Sequence, residues 1–300
     1  MERKLAVRYF CIAFAGAFFL LSLMVMATVL WSQPYQKPQL PQTNGSIYLP
    51  TAEDAITALI IGAPPEEGTP QTYMVMDFRP QQGQIPLVTL SGNTQVTYKG
   101  KPQLLSDIYA VGGEGAVKIA LNESFGIMVD RYAIVPAEGF IKIVNLIGVT
   151  GYRLPQALQY TQGSITVTLG KGVQQIDGKK AYYLATYPDK NEAARCRTVS
   201  ALAQEAINQH MDLIASPLAQ RLFTSVINLM ETDITVYDYE NHHRAAEFLA
   251  QLKPSPAVAV YPQLTFDPSA GCYQFTPEGA QAMGRIFGKE PPAQGVSALW

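Results

Sequence analysis

The sequence predicts an α/β protein: a layered α-β-α domain with a central mixed sheet, preceded by one N-terminal transmembrane helix. Two observations lead to this fold class. Strand-like and helix-like runs mix along the chain from residue 56 onward, which favours helices layered on a sheet. Ahead of them, residues 9–31 carry no charged side chain, and an apolar run of this length can cross the hydrocarbon core of a bilayer.

The predicted membrane helix, residues 9–31, would be about 34 Å long. The head before it, residues 1–8, is basic, whereas the polar segment after it has only Lys37 as a positive charge. The positive-inside rule therefore predicts a single-pass protein of the cell membrane, with its N-terminus in the cytoplasm and its C-terminal domain outside. A cleaved signal peptide is the alternative, but its apolar core is usually shorter, and Trp31 followed by Ser32 is a poor cleavage site.

Residues 32–55 are predicted to form a Pro-rich extracytoplasmic stalk. Its four prolines lie among Gln, Thr, Asn and Gly, a composition that buries little apolar surface and favours an extended chain. The folded domain is predicted over residues 56–288, and residues 289–300 form a C-terminal tail.

Three strands are predicted early in the domain. Residues 56–61 are a buried apolar run that ends at Gly62. Residues 72–78 and 85–90 are two further runs, separated by a cluster of turn-forming residues at 79–83. Short apolar runs bounded in this way are typical of strands.

Helices and strands follow in the middle of the domain. Apolar residues at helical spacing predict a helix over 113–125, with Gly126 in the position that a C-terminal cap prefers. Residues 129–135 are a predicted strand, and 138–147 an amphipathic helix ended by Gly148.

The second half of the domain is predicted to be rich in helix. Residues 164–169 alternate as a strand, and 170–178 are predicted to be a loop. The remaining predicted elements are helices over 192–213, 218–230 and 242–252, strands over 257–261 and 271–275, and a short final helix that Thr276 caps and Pro277 opens.

Composition excludes some functions. The formal net charge is -2 and the pI is about 6.0, so the chain lacks the basic surface of nucleic-acid-binding proteins, and no nucleic-acid partner is expected. Beyond the predicted span only Cys196 and Cys272 remain, with no spacing typical of a metal site. One disulfide and two unpaired thiols are equally compatible with this pattern.

Three polar clusters are weak candidates for a site. His242 and His243 lie beside acidic residues, but adjacent side chains on a helix diverge, and a polar helix start explains them, so no metal site is predicted. The glycine-rich stretch 112–115 could cradle a phosphate, although tight-turn geometry is the commoner reason for such a cluster. The three histidines of the chain give no Ser/His/Asp or Cys/His arrangement, so no hydrolase is predicted.

The order of several segments resembles the extracytoplasmic domain of the LytR-CpsA-Psr family. The resemblance covers roughly residues 56–213, and the predicted anchor and stalk fit it. The segments that carry it are Ala58–Gly62, Leu87–Ser91, Ala110–Gly113, Phe125–Tyr132 and Gly139–Val149, followed by Gly172–Ala181 and Arg195–Arg197.

The resemblance implies a site and a reaction. Members of the family hold the lipid tail of a polyprenyl-pyrophosphate-linked glycopolymer in an apolar tunnel between sheet and helices. They transfer the phosphoglycosyl part onto the cell wall. Such chemistry needs Arg side chains to grip phosphate oxygens, and carboxylates to hold a divalent cation against the charge that develops on the pyrophosphate.

Most of the charged residues that this reaction needs are replaced here. The family's Ser-Ile-Pro-Arg-Asp stretch falls on Thr89–Asn93, so that Gly92 stands for the Arg and Asn93 for the Asp. The Gly-x-Asp falls on Gly62–Pro64 and the Arg-x-Asp near Thr69–Thr72, again without charge. The Arg-x-Arg pair falls near Thr186 and Pro188. The loss of one charge-stabilising donor usually costs about 10² to 10³ in rate, and several are lost together.

The preferred hypothesis is therefore a catalytically degenerate domain of cell-wall glycopolymer assembly that binds polyprenyl-phosphate lipid or a wall-assembly protein. The alternative is an active phosphotransferase whose charged residues come from elsewhere, and a third possibility is a structural protein with a filled core. No cofactor is expected, and Mg²⁺ is implied only by the active alternative. The candidate catalytic residues are Glu192, Arg195 and Arg197, with Arg131 and Arg153 as further arginines; the candidate ligand-binding residues are Gly92, Asn93, Arg131, Phe140 and Val144.

Overall fold

A computed structural model describes residues 48–63, 68–162, 165–187, 191–252 and 255–288. The predicted membrane helix, the first part of the predicted stalk and the C-terminal tail lie outside these ranges. Among the described helices, none is both long enough and apolar enough to cross a membrane.

The described chain alternates between strands and helices. The strands are β1 Ile56–Gly62, β2 Thr72–Phe78, β3 Ile85–Ser91, β4 Gln95–Tyr98, β5 Lys101–Leu104, β6 Arg131–Val135, β7 Thr150–Leu154, β8 Leu158–Gln162, β9 Ile165–Leu169, β10 Gly172–Ile176, β11 Glu231–Thr232, β12 Ala257–Ala259, β13 Leu264–Asp267 and β14 Cys272–Phe275. The helices are α1 Leu105–Phe125, α2 Ala137–Ile147, α3 Gly178–Thr186, α4 Glu192–Gln209, α5 Ala219–Ile227, α6 Val236–Ala250 and α7 Pro277–Phe287. Short 3-10 turns cover Ala52–Asp54, Pro80–Gln82 and Met211–Leu213.

A six-stranded sheet in the order β11-β6-β1-β2-β3-β12 forms the centre of the fold. The β1–β2 and β2–β3 pairs are antiparallel, whereas β1 pairs with β6 and β3 with β12 in parallel. In this register Phe78 lies opposite Ile56, and Thr72 lies opposite Ser91. The predicted mixed α/β architecture with a central mixed sheet is thus confirmed.

One face of the central sheet is fully sealed. Helices α1 and α7 cover it, and the main hydrophobic core lies between them and the sheet. Its largest buried side chains include Leu59, Ile61, Tyr73, Leu90, Leu121 and Phe287.

Helices α2 to α6 lie on the opposite face of the sheet. Helix α4 packs against β3 and β12, where Leu87 shares a buried cluster with Leu249 of α6. A separate cluster joins α3 and α4 to the small β7–β10 sheet through Ile176, Leu184 and Leu202. Of these two clusters, only the one around Leu87 contains residues of the central sheet.

The predicted stalk is folded at its C-terminal end. The Tyr48 hydroxyl donates to the Asp54 carboxylate at 2.5 Å, and Asp54 is buried. The Arg244 guanidinium on α6 lies 4.6 Å from the centre of the Tyr48 ring. Residues 48–54 therefore pack against the domain instead of extending away from it.

Several element predictions need correction. The predicted loop 170–178 contains β10, which pairs antiparallel with β7. The sequence did not indicate this strand, because it is flanked by glycine and rich in Gln. The helix predicted over 192–213 ends at Gln209, because His210 has left helical geometry, with φ -117° and ψ 19°, and a 3-10 turn follows over Met211–Leu213. The helix predicted over 242–252 begins earlier, at Val236, since Thr235 and Asp238 form a capping box.

The β4–β5 hairpin was not predicted either. Its turn has Lys99 and Gly100 at positive φ, 50° and 72°. A Lys-Gly pair is a weaker sequence signal for such a turn than Asn-Gly or Asp-Gly. The sequence therefore did not indicate the two short strands.

The glycine-rich stretch before residue 116 is a kink within a helix. Gly112 and Gly113 depart from helical geometry, and Gly113 has φ 60° and ψ -153°, a region that is nearly exclusive to glycine. The predicted helix over 113–125 is thus the second half of α1, and the glycines serve the change of direction between its halves.

We expect Gly113→Ala to lower the free energy of unfolding by about 1–3 kcal/mol, because a Cβ strains this backbone geometry. Gly115→Ala is the matched control: a Cβ at either position would meet open space, but Gly115 is helical. The control should raise stability by up to about 1 kcal/mol. Guanidinium unfolding of the chain from residue 32 onward measures both changes, and equal effects of the two variants would contradict the strain argument.

Candidate functional site

Burial along β2 differs sharply between the two faces of the central sheet. Tyr73, Val75 and Asp77 point into the sealed core and are at most 3% exposed. The alternate residues of the same strand are only partly buried: Thr72, Met74, Met76 and Phe78. Side chains alternate between faces along a strand, so the helices above the second face leave part of the apolar sheet uncovered.

The uncovered strip forms the floor of a cavity of about 450 Å³. Its floor is made by Ile56, Ala58, Met76 and Phe78, and its walls come from α4, the turn after it, α5 and α6. Pockets of this size, with mostly apolar walls, are typical of small-molecule sites.

Helix α5 faces this cavity with its apolar side. The helix is strongly amphipathic in sequence, yet none of its residues is fully buried. Leu222, Phe223 and Val226 line the cavity instead. A surface helix normally buries its apolar stripe against the core, so α5 is a wall of the cavity rather than a packed layer.

An ion pair lies at the edge of the cavity. Arg131 at the start of β6 donates to Asp238 Oδ1 from Nε and Nη2, at 3.1 and 2.7 Å. The Arg131 side chain is 36% exposed and that of Asp238 only 7%, so Arg131 borders solvent on this side of the cavity.

The Asp238 carboxylate also caps α6. Its Oδ2 accepts from the backbone and the hydroxyl of Thr235, at 2.8 and 2.9 Å. Burial by itself raises the pKa of Asp238, but the hydrogen bonds from Arg131 and Thr235 together hold that pKa below its usual value. The carboxylate is therefore ionised where it closes the end of the helix.

All three histidines of the chain line this cavity: His210, His242 and His243. The His242 ring lies edge-on to Phe78, with ring centres 6.5 Å apart, and His243 stacks on Tyr239. Among the described residues, no group of three or more His, Cys, Asp or Glu side chains is arranged to hold a metal ion. Sequence reasoning missed their common location because it depends on contacts between distant segments.

Arg195 lies at the other end of β2, about 20 Å from Phe78 along the strand. The side chain is 4% exposed. Its Nε and Nη2 donate to Glu192, its Nη1 to the Thr72 hydroxyl and the Ala185 carbonyl, and its Nη2 also to the Gln71 carbonyl. A guanidinium has five N–H groups, and all five are used within the protein.

Gly92 is buried at the end of β3, beside the segment that bonds Arg195. Its N–H donates to the Gln71 carbonyl at 3.2 Å. A Cβ at this position would lie 2.7 Å from the Pro70 carbonyl oxygen, so the local backbone excludes any larger side chain. Asn93 is partly buried, and its carbonyl accepts from the Tyr273 N–H at 3.0 Å.

The other predicted site residues lie apart from the apolar cavity. Phe140 and Val144 on α2 pack against the cluster around Leu184. Arg153 is exposed on β7, and Arg197 is exposed on α4 beside a second, smaller cavity. Of the predicted residues, the structure therefore brings only Arg131 to the apolar cavity.

Both cysteines beyond the predicted span are free and buried. Burial raises the pKa of the Cys196 thiol to about 11. The sequence was compatible with one disulfide or with two unpaired thiols, and in the structure the two thiols are unpaired.

Comparison with known proteins identifies the family. Residues 31–248 match the LytR_cpsA_psr family, which is well over half of the chain. The chain belongs to the LytR-CpsA-Psr family. The resemblance noted in the sequence is thereby confirmed.

The chain is also similar to one curated relative and to two solved structures. It is 26% identical, over 178 residues, to the polyisoprenyl-teichoic acid–peptidoglycan teichoic acid transferase TagU of Enterococcus faecalis, a match that covers 58% of this chain and 57% of the relative. The fold is similar to B. subtilis TagV, with a TM-score of 0.64, 14% identity, and 78% and 95% of the two chains covered. It is also similar to TagT bound to LI-WTA, with a TM-score of 0.60, 13% identity, and 78% and 90% covered.

The family's divalent cation does not fit the residues described at the Arg195 end of the sheet. Carboxylate oxygens are the ligands that Mg²⁺ prefers. The described residues at the family's acidic positions near this end are Thr69, Thr72 and Asn93, which offer no carboxylate. The Glu192 carboxylate also lies at this end, but it is bonded to Arg195.

We expect Asp238→Asn to lower the free energy of unfolding by about 2 kcal/mol at pH 7, because it removes charge-assisted hydrogen bonds from a buried position. The folded-state pKa of Asp238 lies below the unfolded one. The stabilisation is therefore complete above the usual Asp pKa of about 4, and is lost as the pH falls through the lower folded value.

The difference in stability between this variant and the wild type should accordingly narrow below about pH 4. Denaturant unfolding at a series of pH values measures it. Asp212→Asn, at an exposed position, is the control and should change stability by less than about 0.5 kcal/mol. A difference for Asp238→Asn that stays constant down to low pH would refute the assignment.

Proposed function

We propose that this protein is a catalytically degenerate LytR-CpsA-Psr domain of cell-envelope glycopolymer assembly, which binds a polyprenyl-phosphate lipid. The apolar cavity between the central sheet and α4–α6 is the observation that carries the proposal. The prenyl chain would lie over Met76 and Phe78, with the apolar stripe of α5 as the opposite wall.

Three properties of the cavity support an apolar ligand. Its volume of about 450 Å³ suits a small molecule or part of a longer chain. Its floor is a partly exposed strip of a sheet whose other face is fully buried. Its wall is an amphipathic helix without a buried residue. Filling the cavity with a hydrocarbon chain would remove all of this apolar surface from water, at about 25 cal/mol per Å².

The names of relatives agree with a role in wall assembly. The Enterococcus relative is named as a transferase of teichoic acid from a polyisoprenyl carrier to peptidoglycan, and the TagT structure is named as a complex with LI-WTA. Because the match to the Enterococcus relative spans little more than half of either chain, its substrate and activity enter here only as support for the proposal.

The absence of activity is supported by the state of the charged residues. Gly92 has replaced the phosphate-gripping Arg in a position where the backbone has no room for a side chain. The guanidinium of Arg195 is saturated within the protein and is nearly inaccessible. Since each lost charge-stabilising donor costs about 10² to 10³ in rate, two lost donors reduce turnover by about 10⁴ or more.

An active phosphotransferase is the second candidate. The Glu192–Arg195 pair, which retains the character expected from the family, is the observation that favours it. Activity would require Arg195 to release Thr72 and two backbone carbonyls before it could bind a pyrophosphate.

The predicted membrane helix, residues 9–31, is the last part of this proposal, because it would keep the domain close to the bilayer. With residues 9–31 across the membrane, the domain would lie outside the cell, tethered by a short segment that ends at the folded Tyr48. In this position the cavity could accept a lipid carried by the same bilayer.

We expect Ala206→Phe to weaken binding of geranylgeranyl phosphate at least tenfold, because the ring would occupy cavity space. Displacing two CH₂ groups of the lipid from the cavity costs about 1.6 kcal/mol, which exceeds the ~1.4 kcal/mol of a tenfold change. Native mass spectrometry of the chain from residue 32 onward measures the bound fraction. Ala137→Phe places the same side chain at an exposed helix position and should bind like the wild type. Unchanged binding by Ala206→Phe would refute the location of the lipid.

We also expect no cleavage of the pyrophosphate above the buffer rate when the wild-type chain is incubated with a glycosylated prenyl pyrophosphate and Mg²⁺. Radiolabelled lipid measures the prenyl monophosphate that cleavage would leave, and the charge losses described above are the reason for the expectation. Formation of prenyl monophosphate that Arg195→Ala abolishes and Arg153→Ala leaves intact would show an active enzyme and overturn the degenerate assignment.

A further inference from the structure

His242 differs from the other two histidines of the apolar cavity in its hydrogen bonding. Its Nδ1 is buried and has no hydrogen-bond partner among the described residues. By contrast, His243 Nδ1 lies 2.9 Å from the Glu240 carbonyl oxygen, and His210 Nε2 lies 3.5 Å from the Thr150 hydroxyl. A neutral His242 ring with its proton on Nε2 leaves only a lone pair at the buried position. A charged ring would leave a buried donor there without a partner, which costs more.

The His242 ring has space to move on one side. It lies edge-on to Phe78 of the cavity floor, with ring centres 6.5 Å apart, and it borders the cavity of about 450 Å³. A charged ring could turn into this cavity, where entering water would accept the Nδ1 proton. The prenyl chain is proposed to lie over the same part of the floor, at Met76 and Phe78. The charged ring and the chain would therefore compete for one space.

A buried carboxylate near His242 favours the charged ring. Asp54, on the 3-10 turn against which α6 packs, is buried. Burial raises the pKa of Asp54, but the hydrogen bonds from Thr51 and Tyr48 and the charge of His242 together hold that pKa below its usual value. An ionised carboxylate stabilises the protonated form of a neighbouring imidazole, so the ring gains its proton readily when the cavity is open to water.

The other titratable groups on the cavity wall keep their charge state between pH 8 and pH 5. Asp238 is paired with Arg131, and the same bonds hold the pKa of Asp238 below its usual value and that of Arg131 above it. Burial raises the pKa of Tyr239, which therefore stays neutral. Imidazole is the side chain that normally gains charge in this pH range. Among the described residues that line the cavity, only the histidines do so.

The charges just outside the cavity are engaged elsewhere. Asp77 at the end of β2 points into the sealed face and is paired with Arg79. Arg244 is exposed and lies over the Tyr48 ring. Helix α5 contributes only apolar side chains to the cavity wall. Asp54, which is bonded to hydroxyl and backbone groups, is therefore the acid that senses the charge of His242.

We propose that protonation of His242 and occupation of the apolar cavity exclude each other, so that mild acidification releases the lipid. This inference rests on the proposed lipid binding and adds its regulation. A prenyl chain can cover the neutral ring, but over a charged ring it would remove the water that solvates the proton. Burial of a charge without a partner costs far more than burial of a neutral group. A ligand that binds only the neutral form loses at most about tenfold in affinity per pH unit.

Photo-crosslinking in a bilayer tests this proposal. The full-length chain is placed in phosphatidylcholine nanodiscs with a diazirine-bearing prenol of geranylgeranyl length, and mass spectrometry counts adducts on the peptides that contain Met76 and Phe78. The prenol is uncharged, so its own titration, unlike that of a prenyl phosphate, cannot cause a pH dependence. We expect the prenol fraction that gives half-maximal labelling to be at least about fivefold higher at pH 5.0 than at pH 8.0.

Two variants of His242 and one control assign the effect. His242→Phe and His242→Gln should each reduce the ratio between the two pH values to less than about twofold, because neither new side chain gains a proton in this range. His243→Gln is the matched control on the same helix. It should keep a ratio of at least about fivefold, since the Nδ1 proton of His243 has the Glu240 carbonyl as its partner in either charge state.

The possible failures are distinguishable. A wild-type ratio below about twofold would overturn the proposal and leave lipid binding intact. A ratio that both His242 variants retain, or that His243→Gln abolishes, would overturn it as well. Absence of adducts on the cavity peptides at both pH values would instead refute the proposed lipid binding, and the pH dependence with it.

Discussion

The unequal covering of the two faces of the central sheet governs the rest of this structure. On one face α1 and α7 pack tightly enough to leave Leu59, Ile61 and Tyr73 at most 1% exposed. On the other face, Leu87 shares a buried cluster with Leu249 of α6, whereas Met76 and Phe78 of β2 pack at the border of that cluster and stay partly exposed. The sealed face gives the domain its stability, so the other face can remain incompletely packed without unfolding. Interiors are normally close-packed with few voids, and a void of this size between sheet and helices therefore points to a ligand.

The two ends of β2 differ in the polarity of the side chains around them. At the Thr72 end, Arg195 is bonded by all of its N–H groups to neighbouring protein atoms, and Gly92 leaves no room for a side chain. At this end both residues therefore make contacts within the protein. At the Phe78 end, mostly apolar side chains form the floor and walls of the cavity. A protein selected only for a stable fold would gain by filling such a cavity.

The sequence predicts the central strands well, because strong local patterns mark them. Residues 72–78 alternate and are bounded by turn-forming residues, and β2 has these bounds. The strand β10 escapes such analysis, since its glycine and glutamines carry weak local signals and its pairing with β7 holds it in place. The first half of α1 escapes it because Gly112 and Gly113 interrupt the helical pattern. For the site, the resemblance to the family indicates where charged residues are replaced. The saturation of Arg195, however, depends on Gln71 and Thr72, and the position of His242 on Phe78, all more than 100 positions away along the chain. Periodicity carries no information about such contacts.

The packing of residues 48–54 on α6 has a mechanical consequence. The chain enters the domain at Tyr48, whose ring lies against Arg244, and α6 carries both this arginine and cavity residues such as His242 and His243. Tension along the segment that precedes Tyr48 would thus reach a wall of the cavity before it reached any strand of the sheet. Helix α6 contacts the point where the chain enters the domain and also forms a wall of the cavity, so a force at Tyr48 would act on that wall.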